Sequence, residues 1–75
     1  MLEVTVEYRS HRACFKIHQE REGIFTARLL SFEGEASLRP TKEITLVRGV
    51  RKWTGSIDDE ALLDELGEFI DTKWQ

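Results

Sequence analysis

Of its 75 residues, the chain spends one each on cysteine, proline, methionine and tyrosine. The lone thiol, Cys14, excludes an intrachain disulfide and suits a reducing compartment. No apolar run approaches the ~20 residues that span a bilayer. Residues 1–7 alternate apolar with polar or acidic side chains, which is not the pattern of a signal peptide. The expectation is a cytoplasmic protein with no membrane partner. Three motifs are also missing. There is no Walker-type glycine loop, no aromatic string of the kind carried by RNA-recognition sheets, and no elbow or helix start to activate Cys14 as a nucleophile. A chain this short forms one domain, spanning 1–75.

What is present is alternation, followed by a change of period. Leu2, Val4, Val6 and Tyr8 share one parity; Glu3, Thr5, Glu7 and Arg9 share the other. Period two over eight residues predicts a half-buried strand at 2–9. The polar Ser10, His11 and Arg12 then form a turn, and alternation resumes at 13–20, with Ala13, Phe15 and Ile17 on one face. Residues 19–23 make the second turn, with Gly23 available for a left-handed position. A third strand at 24–32 places Phe25, Ala27 and Leu29 on one face. Ile24, Thr26, Arg28, Leu30 and Phe32 lie on the other. Apolar residues on both faces are the mark of a central strand, or of one whose outer face meets another chain.

Residues 33–42 read as a loop containing Pro40, with Leu38 tucked in. A fourth strand is expected at 43–53. Gly49 interrupts it, and a glycine within a strand marks a bulge or bend that divides the segment into two pieces. The period then changes to that of a helix at 58–73, with Ile57, Ala61, Leu62, Leu63, Leu66, Phe69, Ile70 and Trp74 at helical spacing. Two starts compete: Ser56 with Asp59 as a capping box, or Asp58 as cap with Ile57 and Leu62 as a staple. The second is preferred because it also anchors the entering chain. Gly67 costs the helix interior roughly 1 kcal/mol relative to alanine, which calls for a close approach to a neighbouring element.

The expected fold is α+β: an antiparallel meander of four strands, or five if Gly49 splits the last, with one C-terminal amphipathic helix on one face. The expected core is Val4, Val6, Phe15, Ile17, Phe25, Leu29, Ile44, Leu46, Leu62, Leu66 and Ile70. Trp53 and Trp74 are expected to close that core at opposite ends of the helix.

Charge divides the chain. Residues 1–56 hold ten basic and seven acidic side chains, a net of +3; residues 57–75 hold seven acids and Lys73, a net of −6. His11, Cys14 and His18 are the right types for zinc. However, Cys14 and His18 lie roughly 13 Å apart along a strand, and no fourth ligand follows. No metal, cofactor or catalytic residue is therefore assigned. The segment 49–56 leads small residues and two cations into a helix start, but Asp58, Asp59 and Glu60 would repel a phosphate there.

The candidate interaction face comprises Arg28, Leu30, Phe32, Arg48, Arg51, Lys52 and Trp53. Its expected use is as a non-catalytic protein-interaction or assembly module, self-association included. The alternative is a single-stranded nucleic acid, with cations tracking phosphates and rings stacking bases. An enzyme or regulatory subunit is the third reading.

Overall fold

The computed structural model describes residues 1–74. Five antiparallel strands form one open sheet in chain order: β1 (Leu2–Tyr8), β2 (His11–Arg21), β3 (Ile24–Phe32), β4 (Glu43–Arg48) and β5 (Trp53–Gly55). One helix, α1 (Glu60–Lys73), covers one face. A single 3-10 turn at Ala36–Leu38 interrupts the loop between β3 and β4, where Leu38 is half-buried and Pro40 buried. Among the described residues no helix is long and apolar enough to cross a membrane.

The turns are tighter than the expected ones. Only Arg9 and Ser10 separate β1 from β2, and both take positive φ, 51° and 67°. Two-residue hairpins need left-handed backbone to match the strand twist. His11 therefore begins β2 rather than sitting in the turn. Glu22 and Gly23 (φ 79°) close the second hairpin, and β2 runs on to Arg21 past an irregularity at Glu20.

The segment 43–53 does divide at Gly49. The Gly49 N–H donates to the Lys52 carbonyl at 3.1 Å, folding the chain back so that Arg48 pairs with Trp53. A Cβ at position 49 would overlap that carbonyl. Here glycine is required by close approach, not by an unusual φ.

The core lies between sheet and helix. Phe15, Phe25, Ile17, Ile44, Leu46, Leu66 and Ile70 are its largest fully buried side chains. Leu29, expected inside, is half-buried at its margin, while Ala13, Ala27, Trp53 and Leu63 join it. The helix cap is neither of the two expected. Asp59 Oδ1 accepts from the Leu62 N–H at 3.1 Å, so the helix starts one residue after the preferred position. Cap geometry decides between neighbouring aspartates, and sequence spacing does not.

Candidate interaction surface

The seven residues expected to share a face are distributed over three surfaces. Arg28 lies on the open sheet face, where its Nη2 meets Glu43 Oε2 at 3.0 Å. Leu30 is the extra residue of a bulge. Cys14 pairs with Ser31 and Phe15 with Leu29, so nothing stands opposite Leu30, which is half exposed. A bulge reverses the face of every residue beyond it. Phe32 consequently pairs with Ala13 and turns to the helix side, edge-on to Tyr8 and His11 at 6.2 and 5.8 Å.

Arg48, Lys52 and Trp53 are held by the helix. Trp53 is buried at 7 % exposure. Its Nε1 donates to Asp71 Oδ2 at 3.1 Å, and Arg48 Nη2 meets Asp71 Oδ1 at 2.9 Å. The Arg48 guanidinium lies 5.1 Å from the centre of the Trp53 ring and 5.8 Å from that of Phe25. One carboxylate thus fixes a cation and an indole together, and the cation sits against two rings, a geometry stabilised by ring quadrupoles. Lys52 reaches Glu60 at 3.7 Å. Arg51 and the fully exposed Val50 occupy the turn between β4 and β5.

Trp53 and Trp74 do not close opposite ends of the core. Both pack edge-on against Phe25, at 5.7 and 5.2 Å between ring centres. Gly67 makes this possible, because a Cβ there would overlap the Trp53 indole. The expected close approach at Gly67 is therefore to the sheet, through Trp53.

The open face carries a different set of groups. Successive registers align Glu3 with Lys16, Lys16 with Arg28, and Arg28 with Glu43, a row with acids at both ends. Thr5 Oγ1 and Cys14 Sγ lie 3.2 Å apart. Glu20 Oε2 accepts from Thr26 Oγ1 at 2.8 Å and meets His18 Nε2 at 2.7 Å. These two contacts, the Thr26 hydroxyl first, hold the Glu20 carboxyl below its usual range. His11, Cys14 and His18 each take a separate partner instead of converging.

The edges of the sheet are unequal. β5 is a three-residue edge, short enough to offer little to another strand. β1 is a seven-residue edge free of proline, lysine and bulge. The two-residue hairpin makes Tyr8 and His11 a hydrogen-bonded pair, and antiparallel pairs alternate from there. Val4 and Val6 therefore spend their backbone groups on β2. Glu3, Thr5 and Glu7 turn theirs outward. The helix overhangs this edge through Glu65. Burial, the charge of Glu7 and the charge of Glu68 push the Glu65 carboxyl above its usual range, with the Glu7 backbone N–H acting in the opposite direction. Phe69, half-buried one helical turn further on, lies in a shallow depression with Glu65, Glu68, Thr72 and Lys73.

Sequence reasoning missed Glu3, Glu7, Glu65 and Phe69 as a set. Each was legible as a strand or helix residue, but which strand forms the edge is a property of sheet order. Compared with known proteins, the chain matches no family model, no curated protein and no solved structure at a significant level.

Proposed function

We propose that this chain is a non-catalytic protein-interaction module and that the β1 edge is its binding element. The observation that supports this reading is the edge itself: seven residues whose outward groups at Glu3 and Thr5, with the Glu7 carbonyl, meet no strand, while Glu65 engages the Glu7 N–H. Unpaired ladder groups are a template for an added strand, and natural sheets usually shorten, bulge or cover them. The opposite edge is shortened in this way; β1 is not. The nucleic-acid reading draws less support, since the rings that would stack bases, Trp53 and Phe32, are turned toward the helix side.

The test places a photo-crosslinking side chain at Thr5, on the edge, and separately at Asp64, on the exposed flank of the helix. Both variants are expressed in the native cell. A discrete protein adduct from position 5, absent from position 64, is the expected result. No adduct from either position, with the purified chain sedimenting as a monomer at ~100 μM, would remove the reading.

A further inference from the structure

The charges along β1 narrow the kind of strand its edge accepts. Glu3 and Glu7 both point to the open face, four residues apart, roughly 13 Å along the strand. On the helix side of the same edge lies Glu65, close to Glu7. A strand laid against β1 would thus meet two acids of one parity on its open-face side, Glu3 and Glu7, whose β2 partners are Lys16 and Arg12. On its other side it would meet the Glu65 carboxylate near the Glu7 end.

A second copy of this chain fits poorly in the register centred on Thr5. Antiparallel self-pairing centred on Thr5 sets Glu3 opposite Glu7 of the second copy, twice in one interface. Like charges directly opposite on one sheet face are destabilising. The acids therefore select against self-association at this register and for a strand of opposite charge.

We propose that the β1 edge takes an extended segment of a different protein, with Lys or Arg at positions i and i+4, a small polar residue at i+2, and apolar residues at i+1 and i+3. This rests on the reading of the chain as an interaction module and adds the chemistry of the partner. The cations at i and i+4 pair with Glu3 and Glu7 on the open face. The residue at i+2 lies opposite Thr5. The apolar residues turn to the helix side, beside Val4 and Val6. Backbone hydrogen bonds to Glu3, Thr5 and the Glu7 carbonyl supply registry, the Glu7 N–H being engaged by Glu65, and the side chains supply selection.

The test titrates the full chain with a peptide built on the core Lys-Val-Thr-Val-Lys, and with its counterpart in which both lysines are glutamate. Binding is followed by amide exchange at single-residue resolution. The basic peptide is expected to bind at least about tenfold more tightly than the acidic one and to protect the amides of Glu3 and Thr5. In a Glu3→Lys/Glu7→Lys double variant the order of the two peptides reverses. Both positions are exposed, but each lysine would face a cross-strand cation, Lys16 or Arg12, so a thermal melt confirms that the variant is folded before the titration is read. Equal binding of the two peptides, protection elsewhere on the surface, or no binding at all would each overturn the proposal. So would concentration-dependent dimerisation that protects the same two amides. An adduct from position 5 in the crosslinking experiment, together with failure of the basic peptide, would show that the module reading stands and the partner chemistry is wrong.

Discussion

Asp71 receives an indole N–H on one oxygen and a guanidinium on the other, and the Trp53 ring it holds fills the space above Gly67. The consequence is a residue whose substitution acts against helix propensity. Gly67→Ala removes a helix-interior penalty of about 1 kcal/mol but drives a methyl group into the indole. Overpacking of this kind costs about 1–3 kcal/mol, so the variant should be less stable overall. Denaturant midpoints check this, and a stabilised variant would mean that the ring and helix are not in contact. The cap makes a second residue-scale prediction. Asp59→Ala should cost about 1 kcal/mol, because its side chain satisfies the Leu62 N–H. Asp58→Ala should stay within about 0.5 kcal/mol, as exposed positions without such a partner do. Equal losses at the two positions would sink the assignment.

Among the elements, β3 and α1 explain what could and could not be read in advance. The alternation of Val4, Val6, Phe15 and Ile17 and the helical spacing of Leu62, Leu66 and Ile70 fixed which faces are buried, because burial acts on parity and period directly. The face of Phe32 was not legible, since one unpaired residue, Leu30, inverts the parity beyond it, and no side chain signals the bulge. Gly49 did signal its bend, through its lack of a Cβ where the Lys52 carbonyl comes close. The same substitution made on two elements, α1 and β2, should have opposite signs. The Glu65 carboxyl is raised in the folded state. Its contribution to stability is complete below the unfolded glutamate value of about 4.3 and is lost as pH rises through the folded value. Glu65→Gln should therefore be more stable than the parent at pH 7, with the gap closing toward pH 4. Glu20 is lowered, so its contribution is present above the unfolded value and lost as pH falls. Glu20→Gln should be less stable than the parent at pH 7, with that gap also closing in acid. Thermal melts at several pH values read both, and a common sign would contradict the assignments.

For the whole molecule, every strand pairs with its neighbour in sequence, and the single helix follows them all. One side of the sheet is left open, mostly polar but with Ile24 paired to Val47 upon it; the other depends on one element of 14 residues. The charge division legible along the chain follows this layout, since the acidic segment 57–75 is largely that covering helix. Its role at the β1 edge was not legible, because it depends on which strand the sheet leaves outermost. A chain cut after Gly55 should keep the hairpins but expose Phe15, Phe25, Ile44 and Leu46, and it should bind a hydrophobic dye and aggregate. A soluble, monomeric sheet fragment would show that the helix is dispensable. The order of elements also matters during synthesis. The strands are all synthesised ahead of the helix that shelters their apolar side. Until that helix docks, Phe15, Phe25, Ile44 and Leu46 have no cover, so the last of the described elements to be made is the one that completes the core.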